Sequence, residues 1–188
     1  MQKVAQAAFL SDEVVLGHPE FLTDPQKKSQ LLNNVIRPFI AEFGSNSNIH
    51  SWDIMNERKW ISQVPSATVG SFIADIAQII LEETSNVLVS EGVNSRCDLA
   101  QYLTPAANLV QFHYFDYMEP DCAFDFPADQ LNDARPIIIG EVEPTFPDNK
   151  LTTAYKNGYK GMLFWSLNGE DGFPFRPIAD QYLAWFQK

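Results

Sequence analysis

Five kinds of residue in this chain could do chemistry, and each falls where an apolar run ends. Asn56 and Glu57 close "IHSWDIMNE", and His113 and Tyr114 close "NLVQFHY". Glu141 and Glu143 close "RPIIIGEVE", and Trp165 closes "GMLFW". Glu91 ends a shorter apolar run, "SNVLVSE". Two carboxylates on different strands, facing one cleft, are the minimal machinery for hydrolysing a glycosidic bond. One acts as acid/base. In the retaining mechanism the other attacks the sugar, with the pair about 5–5.5 Å apart.

Ordinary roles compete for every one of these residues. Asn56-Glu57 can start a loop. Glu141 and Glu143 alternate, so both can face solvent, and Glu143 is the better bystander. His113 can be a satisfied core histidine, and Trp165 plain packing. Asp53 and Asp116 suit structural bonds to loop backbone. Glu91 can line a cleft, and Trp60 can pack or flank a neighbouring sugar.

The elements that must position these groups follow a rhythm. "TDPQKKSQLLNNVIRPFIAEFG" predicts a helix with Asp24 as N-cap, Pro25 in the first turn, a kink at Pro38 and a stop at Gly44. A second helix spans "SATVGSFIADIAQIILEET", with Phe72, Ile73, Ile76, Ile79 and Ile80 on one face. "RCDLAQYL" and "PADQLNDA" predict short helical pieces. "NKLTTAYKNG" predicts a helix ended by Gly158, and "PIADQYLAWFQ" a closing helix. Apolar strands alternating with helices predict an α/β fold with a parallel sheet covered on both faces, either doubly wound or part of a (β/α)8 barrel. In such folds ligands bind at the C-terminal strand ends, where the polar residues above cluster.

Composition narrows the function classes. The 188 residues suit a single domain spanning 1–188, and a net charge of -11 argues against nucleic acid and anionic membrane surfaces as partners. No apolar run is long enough to span a bilayer. "MQKVAQAAFLSDEVV" is a poor signal peptide. Localisation stays open: secreted if a preceding segment carries a signal, otherwise cytoplasmic. No Gly-rich phosphate loop or nucleophile elbow supports a kinase, dehydrogenase or serine esterase. No metal-ligand spacing is visible, and Cys97 and Cys122 are either two free thiols or one bridge.

"WDIMNE" at 52–57 resembles the fourth-strand signature of clan A glycoside hydrolases, above all the family 5 cellulases and endo-β-mannanases. "QFHYFDY" at 111–117 is similar to their sixth strand, "PIIIGEVE" at 136–143 to their seventh and "GYKGMLFWSLNGEDG" at 158–172 to their eighth. The stretch "HPEFLTDPQKKSQLLNNVIRPFIAEFG" resembles the third helix and its approach. The resemblance implies a (β/α)8 TIM-barrel fold, incomplete, with about five C-terminal strand-helix units. It implies retaining hydrolysis of a β-1,4-linked polysaccharide, mannan or glucan, with no cofactor and no metal. Glu57 is then the acid/base and Glu141 the nucleophile. Asn56 hydrogen-bonds the substrate 2-hydroxyl, His113 and Tyr114 line the site, and Trp165 lies under the sugar. Cys97 and Cys122 fall in neighbouring loops of such a barrel, which implies a disulfide and an oxidising compartment.

This chain departs from the family pattern at three points. Nothing matches the first three strands, including the Arg on the second that supports the nucleophile. The Tyr expected at the third place of His-x-Tyr is Phe115, and Arg58 replaces the usual Pro after the acid/base. A five-strand remnant would expose two sheet edges. Alternative expectations are therefore an inert truncated barrel, a carbohydrate-binding remnant, a homodimer through the open edges, or a subunit needing a partner chain.

Overall fold

A computed structural model describes residues 18–85, 87–118, 120–166, 179–185 and 187. Completion of the sheet by residues 1–16 and the "NGEDG" end of the last motif fall outside them. The chain divides into two compact units. The first comprises the chain up to Gly92 with Tyr102–Asn108, and the second comprises Val93–Gln101 with the chain from Leu109 onward.

In the first unit, α1 (Glu20–Thr23) leads into α2 (Pro25–Leu31). Asp24 caps α2 as expected, its carboxylate accepting from the N–H groups of Gln26 at 2.8 Å and Lys27 at 3.2 Å. The kink expected at Pro38 takes the form of a π-helical segment, Leu32–Ile36, before α3 (Arg37–Phe43). Proline has no N–H for the carbonyl four residues back and its ring crowds that turn. The ladder widens instead, and the Arg37 N–H donates to the Leu32 carbonyl. Gly44 stops the helix, though in right-handed geometry (φ -63°). Its need for glycine is steric: a Cβ there would stand 2.3 Å from the Thr84 methyl.

β1 (Ser51–Asn56) and β2 (Leu88–Val93) pair in parallel, joined through α4 (Ser66–Glu83). The predicted apolar face of α4 is the one buried: Val69, Phe72, Ile73, Ile76, Ile79 and Ile80. Most of these side chains form a core with Leu22, Ile40, Val64, Val87 and Val89. Burial of each large side chain is worth about 1.5–3 kcal/mol, so this face holds the unit together.

In the second unit, β3 (Val110–Tyr114), β4 (Ile137–Val142) and β5 (Gly161–Phe164) are parallel, with β4 between the other two. The short helix α5 (Leu99–Tyr102) precedes them in the chain, and α6 (Pro147–Lys156) and α7 (Ala179–Trp185) flank them in sequence. α6 begins two residues before the predicted start, with Pro147 in its first turn. Gly158 ends it at φ +85°, where a side chain would be strained. The fold is α/β, with five parallel strands and flanking helices, and the five strands are those expected from the sequence.

Candidate active site

The first unit carries Asn56 and Glu57. Register between β1 and β2 runs Asp53 to Ser90 and then Asn56 to Gly92, so β1 carries one extra residue just before its end. Such a bulge bends a strand and re-aims its last side chains. Asp53 braces it by accepting from the Gly92 N–H at 3.1 Å, the structural role expected of it. Glu57 leaves the strand in the left-handed region (φ 45°, ψ 52°), which is costly for a residue with a Cβ. Its N–H donates to the Gly92 carbonyl at 2.6 Å.

The Glu57 carboxylate accepts from Trp60 Nε1 at 2.8 Å. Sequence reasoning gave Trp60 packing or a neighbouring sugar and missed this contact. The usable signal was the three-residue spacing, which brings two side chains to one face of the helical turn Arg58–Trp60.

Arg58 and Glu91 form a buried ion pair, with Nε 2.6 Å from Oε1 and side chains 8% and 0% exposed. Glu91 therefore does not line an open cleft: it faces Arg58, and its other oxygen accepts from the Thr104 N–H at 3.0 Å. Burial pushes the Glu91 carboxyl up to about 7, against the opposing pull of Arg58 and the Thr104 N–H, and with a smaller push from Asp53. The folded state then holds a proton that the unfolded chain releases near pH 4.5. The sign follows directly. Stability is highest below that pH, falls as pH rises towards 7, and then levels. Chemical denaturation across this range checks it: the slope is expected in the wild type and absent in Glu91→Gln.

The second unit carries the remaining candidates. β4 has one extra residue against β3 between Ile139 and Glu141, since Phe112 pairs with Ile139 and His113 with Glu141. Gly140 sits in this bulge, where a Cβ would meet the Gln111 side chain at 2.3 Å. The Gly-Glu dipeptide thus has a packing reason for its first member and an aiming reason for its second. His113 is fully buried, with Nδ1 3.6 Å from the Glu141 carboxylate. Glu143 parts from Glu141, its carboxylate accepting from the Asp116 N–H at 2.9 Å. Lys150 closes this loop, reaching Asp116 at 2.7 Å and donating to the Glu143 carbonyl and the Thr145 hydroxyl at 2.8 Å each.

Tyr114 packs edge-on against Phe124 (4.9 Å between centroids), with Lys150 Nζ 5.8 Å from its ring centre. Phe115 is buried and stacks on Tyr117. Trp165 follows β5, its N–H donating to the Val142 carbonyl at 2.9 Å. Its side chain is partly exposed, and the Trp165–Ser166 peptide is cis. Cys97 and Cys122 form a disulfide, and beside it Arg96 donates to the Ala123 carbonyl at 2.9 Å and to the Asp121 carbonyl. Glu57 with Asn56 thus belongs to one unit, and Glu141 with His113, Tyr114 and Trp165 to the other.

The fold is that of part of a (β/α)8 barrel of the kind found in β-mannanases. An endo-1,4-beta-mannanase from Eisenia fetida superposes with a TM-score of 0.72 at 17% identity, over 82% of this chain and 57% of that one. The beta-1,4-mannanase of the sea hare Aplysia kurodai gives 0.69 at 17% identity, over 86% and 61%. A beta-1,4-D-mannanase from Cryptopygus antarcticus gives 0.72 at 18% identity, over 82% and 57%. This chain spans about three fifths of the length of these enzymes. No protein-family model and no curated protein sequence matches it.

Proposed function

We propose that the chain is a retaining glycoside hydrolase acting on a β-1,4-linked polysaccharide, with mannan ahead of glucan. The observation that carries the reading is the pair of strand-end glutamates. Glu57 and Glu141 each stand at the C-terminal end of a parallel strand, each next to a bulge, in a fold shared with β-mannanases.

In this reading Glu141 attacks the anomeric carbon while Glu57 gives its proton to the departing glycosidic oxygen. A covalent glycosyl ester on Glu141 results. Glu57, now a base, takes a proton from water, which attacks the anomeric carbon and frees Glu141. Both steps pass through an oxocarbenium-like state. His113 holds the Glu141 carboxylate in place. Asn56 bonds the sugar 2-hydroxyl, a contact that strengthens in the transition state. Trp165 and Tyr114 contact the substrate. The Cys97–Cys122 bridge suits an oxidising compartment.

The test is incubation of the 188-residue chain with β-1,4-mannan and β-1,4-glucan oligosaccharides, with products followed by proton NMR. Cleavage of the mannan series with the β-anomer appearing first is expected. A folded chain that cleaves neither series contradicts the reading. A second reading is a subunit whose barrel is completed by another chain. It is favoured by the five strands among the described residues, where the full barrel has eight. Sedimentation at rising concentration separates the two, because only the subunit gains mass.

A further inference from the structure

We propose that Arg58 is a positioning residue for Glu57, acting through a buried cradle built by Glu91, Tyr102 and Gly70. The proposal rests on the reading of Glu57 as acid/base only where turnover is concerned; its geometric part stands apart from that reading.

Glu57 holds a left-handed backbone conformation, unfavourable for a residue with a side chain. Such a conformation persists only where both flanks are fixed. On the N-terminal side the fixing is done by β1, the Asp53 contact to the Gly92 N–H and the Glu57 N–H bond to the Gly92 carbonyl. On the C-terminal side it falls to Arg58. Its guanidinium meets Glu91 at 2.6 Å, donates to the Tyr102 carbonyl and lies 5.7 Å from the centre of the Tyr102 ring.

The cradle has a floor made for it. Gly70 lies inside the long helix α4, where glycine is disfavoured relative to alanine. A Cβ at Gly70 would stand 2.6 Å from Arg58 Nη1. The helix gives up propensity where the guanidinium needs room. A buried ion pair adds little stability over an apolar pair of the same size. Direction comes from the guanidinium's hydrogen bond to the Tyr102 carbonyl, with the Glu91 carboxylate beside it holding the charge in place; together they fix residue 58, and through it the Glu57 carboxylate that accepts from Trp60 Nε1.

The test uses the Trp60 indole N–H signal in nitrogen-edited NMR of the full chain, assigned with Trp60→Phe. In the wild type this signal is expected at a position set by the hydrogen bond to the Glu57 carboxylate, and to move in Glu57→Ala, which removes the acceptor. Two variants then disturb the cradle. Arg58→Met with Glu91→Met replaces the ion pair by apolar side chains. Gly70→Ala improves the helix while pushing the guanidinium out, so it decides the matter if the double variant does not fold.

In a folded variant the Trp60 signal is expected to move towards its Glu57→Ala position. A signal unchanged from wild type overturns the proposal, and so does a wild-type signal already at the Glu57→Ala position. Where the wild type hydrolyses mannan, each folded variant is expected to lower kcat about a hundredfold with KM within about twofold. No hydrolysis by the wild type, with the Trp60 signal displaced in the variants, overturns the hydrolase reading and leaves the positioning intact.

Discussion

In the proposed hydrolase, Glu141→Gln is expected to lower mannan hydrolysis by more than about ten-thousandfold, and Glu57→Gln by a factor on the order of 10²–10⁴. The two losses differ in kind. Glutamine at 141 has no charge and no attacking oxygen of comparable strength, so no glycosyl ester forms on any substrate. Glutamine at 57 removes only the proton donor. An activated aryl glycoside leaves without that proton, so Glu57→Gln forms the ester on it at near wild-type rate and then stalls, because no base activates the water. Steady-state and burst kinetics on both substrate types check this. Neither change is expected to unfold the chain, since both carboxylates are partly exposed. A glycosylation burst on the aryl glycoside that falls as far as mannan hydrolysis in Glu57→Gln would remove it from the acid/base role.

Breaking the Cys97–Cys122 bridge gives the second large effect, on stability. The cysteines are 25 residues apart in sequence. Closing a loop of that length restricts the unfolded chain by roughly 3.5 kcal/mol at room temperature. The bridge also keeps Arg96 at its carbonyl acceptors in the loop after β3, where its guanidinium lies 4.4 Å from the Phe126 ring centre. Reduction, or Cys97→Ser with Cys122→Ser, is expected to lower the unfolding midpoint by roughly 10 °C in a chain of this size. The double variant should then be indifferent to reductant. A midpoint unmoved by reductant in the wild type, with both thiols shown to be free, would deny the bridge any share in stability.

Much of the fold was legible because its signals are local. The Asp24-Pro25 start of α2 and the apolar stripe of α4 are written in spacings of three and four residues. The strands are written in short apolar runs between turns. The π-helical form of the Pro38 kink was not legible, because a missing N–H announces a fault without saying how the ladder absorbs it. The candidate site was legible in part. Asn56, Glu57, His113, Glu141 and Trp165 stand out as polar or aromatic residues at the ends of apolar runs. What lay hidden depends on partners distant in sequence. Arg58 looked like a cation beside Glu57, and only the fold shows it turning to Glu91 and filling the space above Gly70. Glu91 looked like a cleft residue for the same reason. The bulges that aim Glu57 and Glu141 arise from strand pairing, which one strand's sequence does not specify.

In the proposed mechanism Glu141 becomes covalently glycosylated during turnover. The most direct measurement is the intact mass of the chain after exposure to a 2-deoxy-2-fluoro-mannosyl fluoride, followed by peptide mapping. The electron-withdrawing fluorine slows both steps, and the fluoride leaving group lets the first outrun the second, so a nucleophile stays labelled. The expected result is a gain of one fluoroglycosyl unit, mapped to Glu141, with none on Glu141→Gln. A folded chain that takes no label, or takes it on Glu57 or Glu143, contradicts the account.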